Sequence, residues 1–222
     1  LLNMPRKKGS LNKPKFDDGD LEIKSLDSES GKSKVLKNNY YDLKVIPNHP
    51  SKVLFAGGSG SGKTTLWINL CINPNYYGGY FHNIFVFSPN AYSDEEFDTL
   101  REYYEADEEG PTGENRVEFF TDLDEAPESI TKIFNAQQEI VESEGIENSP
   151  RLLIVLDDFI GNKKLVNSSI LQDLFTKGRH NNISTWVSVQ AFNACPLKCR
   201  KNLNNLVIFR SADEEEVNCL MK

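Results

Sequence analysis

A chain of 222 residues is long enough for one α/β domain with its own core and a tail. Its 38% hydrophobic and 26% charged residues are ordinary for a soluble globular protein, and no apolar run approaches the roughly 20 residues that span a bilayer. The polar N-terminus lacks a signal-peptide core, so an intracellular protein with no membrane segment is expected. The net charge of −8 is unevenly spread: nineteen acidic and three basic residues stand between Asp94 and Glu147, a balance of −16 that leaves +8 for the remainder. That distribution excludes uniform coating of DNA and marks the acidic stretch as a solvated face.

Residues 1–38 are rich in Lys, Ser, Asp, Asn and Gly without sustained periodicity. Such a composition buries too little to offset its ordering entropy, so a flexible polar leader is expected, whose Lys7, Lys8, Lys13 and Lys15 solubilise it or touch nucleic acid. Leu1 and Leu2 ahead of Met4 hint at a true start elsewhere. From Tyr40 the pattern changes, and residues 39–222 read as one domain. Lys52–Ala56 is an apolar run entering a Gly-rich turn, followed by a helix over Lys63–Cys71. Asn83–Ser88 reads as a buried strand closed by Pro89, and Asp94–Glu105 as an acidic helix capped by Ser93, with Glu96 three residues on. Arg116–Thr121 is a further short strand, and Ile130–Val141 has helical spacing. The aliphatic run Arg151–Leu156 ends in Asp157-Asp158; a helix through Leu171, Leu174 and Phe175 precedes strands at Ile183–Val189 and Leu206–Phe209. Strands without clean alternation, separated by helices, predict an α/β domain with a central, mostly parallel sheet covered on both faces.

Gly57, Gly58, Ser59, Gly60, Ser61, Gly62, Lys63 and Thr64 fit the pattern G-x-x-x-x-G-K-[ST], between a strand and a helix as that motif requires. The glycines let inward-pointing N–H groups form an anion nest at a helix N-terminus. Lys63 supplies a point charge for the β- and γ-phosphates of ATP, Thr64 a hydroxyl for Mg²⁺, and Thr65 extends the helix start. Asp157, closing a buried strand, has the position of the acidic residue that holds Mg²⁺ through water. Asp158 is placed to orient or deprotonate the attacking water, or merely to cap the next turn. Gln190 ends the strand Ile183–Val189 and reads as a γ-phosphate sensor or as a surface turn residue. A sensor role requires that strand to lie between the phosphate-loop strand and the Asp157 strand. Arg179 is an inert surface arginine or a finger on a neighbouring subunit's ATP. Cys71 falls on an apolar helix face; Cys195 and Cys199 have the spacing of half a zinc site, but no second ligand pair follows.

The segments GGSGSGKTT, LLIVLDD, KGRHNNISTWVSVQ and PLKCRKNLNNLVIF together resemble the poxvirus-type genome-packaging ATPases of large eukaryotic DNA viruses and virophages, a branch of the FtsK–HerA superfamily. The similarity runs from about Tyr40 to the C-terminus. It implies an additional-strand P-loop NTPase fold (RecA/FtsK-like) and a homo-oligomeric ring, pentamer or hexamer. It further implies ATP hydrolysis that drives double-stranded DNA into a preformed capsid through a portal vertex, at the host-cell site of virus assembly, with carriage in the virion as an option. Carried over by residue, Lys63 and Thr64 form Walker A, Asp157 and Asp158 form Walker B, Gln190 is the sensor and Arg179 the trans-acting arginine. Arg200 stands where the family has a basic residue before the last core strand. The superfamily usually has Asp-Glu at Walker B, so Asp-Asp here leaves the water-activating group unassigned. The short stretch after Arg210 leaves little room for a C-terminal extension. Lys163-Lys164 and Lys198–Lys201 are candidate contacts to DNA phosphates. A nucleotide kinase, another FtsK/HerA-like translocase and a nucleotide-gated scaffold are the competing readings.

Overall fold

The computed structural model describes residues 46–105 and 116–209, with the backbone of a two-residue antiparallel pair, β1 (Lys24–Ser25) and β2 (Leu36–Lys37). The remainder of the expected leader, and Arg210 onward, lie outside the described residues. The described chain runs β3 (Lys52–Ala56), α1 (Lys63–Ile72), β4 (Asn83–Phe87), α2 (Glu96–Glu105), β5 (Arg116–Phe120), α3 (Ala126–Glu144), β6 (Leu152–Asp157), α4 (Lys163–Val166), α5 (Ser169–Lys177), β7 (Ile183–Val189), α6 (Leu197–Arg200) and β8 (Asn205–Ile208). No helix among these is long and apolar enough to cross a membrane.

The six strands β3–β8 form one sheet in the order β5-β4-β6-β7-β3-β8, every adjacent pair parallel. The inner strands β3, β4, β6 and β7 lack clean polar alternation because both faces are covered, whereas the edge strands β5 and β8 carry exposed residues. On β3, Leu54 and Ala56 enter one core with Phe134 of α3 and Leu171 and Phe175 of α5, while Val53 and Phe55 enter the other with Trp67 of α1 and Phe97 of α2. Strand β6 divides likewise, Ile154 and Leu156 to the first core and Leu153 and Val155 to the second. Fully covering a side chain of this size contributes roughly 1.5–3 kcal/mol.

The expected elements recur with shifted ends. Helix α3 runs 19 residues, longer than its apolar stripe indicates, from Pro127 in its first turn to a C-cap at Gly145 with φ 82°. The Ser93 cap is corrected: its hydroxyl donates to the Asn90 carbonyl, and Asp94 Oδ1 accepts the Glu96 N–H at 3.0 Å, an anion where the helix dipole favours one. The single-turn helices α4 and α6 are too short to show a periodic signal. Cys71 is fully buried, and burial pushes its thiol up. Cys195 and Cys199 are free thiols inside the first core, where the neighbouring thiol and burial raise Cys195. Among the described residues no three His, Cys, Asp or Glu are grouped to hold a metal.

A polar knot ties the N-terminal ends of β3 and β7. His49 is buried; its Nε2 donates to Asn182 Oδ1 at 2.8 Å and its Nδ1 accepts from Ser184 Oγ at 2.7 Å. Asn182, at φ 57°, also donates to the Ser149 carbonyl at 3.0 Å. Burial lowers the His49 pKa from 6.5 to about 3. The unfolded chain therefore binds a proton that the fold refuses, so stability is complete above pH 6.5 and declines as pH falls toward 3. Urea unfolding should show this group costing about 2 kcal/mol between pH 7 and pH 5, and a His49→Gln variant should lose correspondingly less over that interval.

Candidate nucleotide site

Because all six strands run parallel, their C-terminal ends converge on one rim, where open α/β sheets bind ligands. The loop at 57–62 leaves β3 there and enters α1. Gly62 has φ 91°, a backbone state that a side chain disfavours. Gly57 is constrained by contact: a Cβ on it would lie 2.6 Å from Phe209 Cβ and 2.9 Å from Ser61 Oγ. The loop's root is fixed on both sides, Gly57 N–H donating to the Val189 carbonyl at 3.2 Å and Phe209 N–H to the Ala56 carbonyl at 2.8 Å. The Lys63 and Thr64 N–H groups lie in the first helical turn, which offers them no acceptor, and Ser61 Oγ is buried without a partner. These unsatisfied donors fit a phosphate chain. Lys63, 8% exposed, donates its ammonium to the Gly57 and Gly58 carbonyls at 2.7 and 2.8 Å.

Asp157 sits where Walker B was expected, as the last residue of β6 and 7% exposed. It accepts a hydrogen bond from Ser88 Oγ at 3.3 Å. Burial, chiefly, raises its pKa, and Asp158 adds to the shift; the Ser188 and Ser88 hydroxyls and the Lys63 ammonium oppose it. A buried carboxylate with an elevated proton affinity, beside Thr64, is a donor set suited to a hard cation such as Mg²⁺. Asp158 adopts φ 51°, a left-handed state that costs a non-glycine residue about 1–3 kcal/mol. Gln190 Nε2 donates to Asp158 Oδ1 at 3.3 Å, so the expected sensor and second aspartate meet. The geometry that Gln190 needed is present, since β7 lies between β6 and β3.

A cavity of about 320 Å³ joins these groups, lined by Ser59, Gly60, Gly62, Lys63 and Thr64 on one side and by Asp157, Asp158 and Gln190 on another. A third wall, Asn90, Asp94 and Glu96, is one for which the sequence pointed to no role at the site. Ser88 ends beside Asp157 because β4 neighbours β6, an adjacency that only strand order reveals. Thr65 is exposed, and its hydroxyl donates to Glu96 Oε2 at 2.9 Å. Arg179 is not brought to this cavity. It lies in the turn Gly178–Asn181 at the start of β7, whose seven residues separate it from Gln190 by roughly 20 Å. Arg200 donates to the Cys195 carbonyl at 2.9 Å and covers the Phe192 ring, so within one subunit it braces the chain after Gln190. Lys163, Lys164 and Lys201 are exposed, and Lys198 donates to the Ser168 carbonyl at 3.4 Å.

A parallel sheet with the Gln190 strand inserted between the phosphate-loop strand and the Asp157 strand defines an additional-strand P-loop NTPase. The model for the Poxvirus A32 protein matches residues 38–222, and the chain belongs to that family. It is 25% identical over 172 residues to DNA packaging protein OPG160 of Variola virus, covering 77% of this chain and 57% of that protein. It is 33% identical over 94 residues to uncharacterized protein 075L of Invertebrate iridescent virus 6, covering 42% and 36%. The chain thus spans about a third to just over half the length of these relatives. Among solved structures, the fold is similar to B204, the DNA-packaging ATPase from Sulfolobus Turreted Icosahedral Virus, with TM-score 0.56 and 14% identity over 79% of this chain and 82% of that one. It is also similar to the cytoplasmic domain of EssC, with TM-score 0.59 and 13% identity over 78% and 35%.

The contrast between two loop glycines tests the geometry. Gly57→Ala should lower the melting temperature by about 5 °C through overpacking and abolish nucleotide binding, whereas Gly58→Ala, whose Cβ meets nothing within 4 Å, should melt within about 1 °C of the parent.

Proposed function

We propose that this chain is an ATP-hydrolysing motor that moves double-stranded viral DNA into a preformed capsid, working as a homo-oligomeric ring. The observation that carries the reading is the single cavity in which the phosphate loop, Asp157 and the Asp158–Gln190 pair meet, in a member of the Poxvirus A32 family. Lys63 exchanges its loop carbonyls for the β- and γ-phosphates, while the loop N–H groups hold the phosphate chain. Thr64 and Asp157 would hold Mg²⁺, which supplies neutralisation of phosphate charge. Asp158, steadied by the Gln190 amide, orients the attacking water and accepts its proton.

Arg179 is too far from its own cavity to act there, which suits a role at a neighbour's ATP in a pentameric or hexameric ring. Lys163 and Lys164 of α4 follow Asp158 in the chain, and Lys198 of α6 and its C-cap Lys201 follow Gln190, so DNA phosphates held there would be linked to the hydrolytic groups through short segments of chain. A capsid or portal vertex is the fitting partner, and the host-cell site of assembly the fitting location. A nucleotide kinase needs arginines free over the phosphates; Arg101 instead bonds Asp98 and the Ala91 carbonyl and covers Tyr92.

Turnover should rise on adding double-stranded DNA, and Lys63→Ala should abolish it; DNA-independent turnover, or phosphate transfer to a nucleotide, would sink the motor reading. Mixing Arg179→Ala with Asp157→Ala subunits should restore part of the activity that neither has alone. Mixed rings without any recovery would count against a site completed in trans.

A further inference from the structure

Two carboxylates of the nucleotide cavity have no part in that scheme. Asp94 and Glu96 line it together with Lys63, Thr64, Asp157 and Asp158, so four carboxylates face one ammonium. A triphosphate is itself polyanionic, and a bare carboxylate beside it is repelled. Asp157 and Asp158 escape that conflict through the cation and the attacking water. A further carboxylate, which only accepts hydrogen bonds, suits the ligand solely where the ligand presents neutral donors. In a nucleoside triphosphate those donors lie at the end away from the γ-phosphate.

The position of Glu96 agrees. Helix α1 advances about 100° per residue, which turns Thr65 a quarter of the way round from Thr64 and its cation-facing hydroxyl. Glu96 Oε2 is held by Thr65 Oγ1 at 2.9 Å, across the first turn of α1 from α2, and the two helices are keyed together by Trp67 and Phe97 with ring centroids 5.9 Å apart. Of the groups serving the γ-phosphate, Asp157, Asp158 and Gln190 stand at the ends of β6 and β7, and Lys63 opens α1 two residues before Thr65. Asp94 is committed to the Glu96 N–H and thus fixes the turn that presents Glu96.

We infer that Glu96 accepts hydrogen bonds from the ribose hydroxyls of the bound nucleotide and makes the site select ribonucleotides over their deoxy forms. This rests on the nucleotide-site reading above. Calorimetric titration of the full chain with ADP, 2′-deoxy-ADP, 3′-deoxy-ADP and GDP, each with Mg²⁺, tests it. The wild type should bind ADP about tenfold more tightly than at least one deoxy form, the scale of a hydrogen bond to a charged group. Glu96→Ala should bring that ratio close to one by weakening ADP and leaving the deoxy form where it was. Where the alanine variant melts early, Glu96→Met serves, because it keeps the length of the side chain and removes the strong acceptor oxygens. A wild type that does not discriminate, a ratio unmoved by either substitution, or a change confined to ADP against GDP overturns the assignment. So does a fall in kcat with KM unchanged, which would place Glu96 at the hydrolytic end. Lys63→Ala separates the two levels: if it binds ADP like the wild type, the nucleotide site itself is misassigned. If it loses binding while Glu96→Ala keeps the ribose preference, only the role of Glu96 fails.

Discussion

Everything at the rim of the nucleotide cavity depends on the parallel pairing of β7 with β6 on one side and β3 on the other. Leu152 through Asp157 pair in register with Ile183 through Ser188, and Lys52 through Ala56 with Thr185 through Val189. Parallel ladders bring like ends together, so one register sets the height of Asp157, Gln190 and the phosphate loop at once. A slip of one residue would turn Asp157 toward the opposite face of the sheet. The His49–Ser184–Asn182 knot at the far end therefore bears on the geometry of the cavity, since it ties the segment leading into β3 to the start of β7 and makes a slip costly.

Several positions of the candidate site were legible because their chemistry is local. The loop at 57–64 declares itself by glycine spacing, and Asp157 by its place at the end of an aliphatic run. Gln190 was readable only conditionally, as it needed a strand order that no stretch of chain contains. The wall at Asn90, Asp94 and Glu96 was missed for the same reason: it is local to α2 in sequence and local to the phosphate loop only through the packing of α2 on α1. Asp94 and Glu96 also lay inside a long acidic stretch, where a useful carboxylate looks like any solvated one.

The segment from Gly178 to Ser184 shows how a distinctive string divides its duties. Asn182 and Ser184 are structural, the first a left-handed turn residue and both partners of His49. Arg179 is exposed and set apart from that network, its Nε meeting His180 at 3.3 Å. The two ends of the segment thus differ in setting: Asn182 and Ser184 are built into the fold, and Arg179 is an exposed cation beside it.

The Lys63 ammonium bears on the energetics of nucleotide capture. Removing a cation from water is costly, and a lysine that swung in from solvent would meet that cost during binding. Here the group is already withdrawn and held by two neutral carbonyls of its own loop, so folding has met it in advance. In the proposed function, an arriving phosphate would replace neutral acceptors with charged ones around a charge already in place. The site is preorganised: affinity comes from an exchange of partners, and little of it is spent on ordering the lysine.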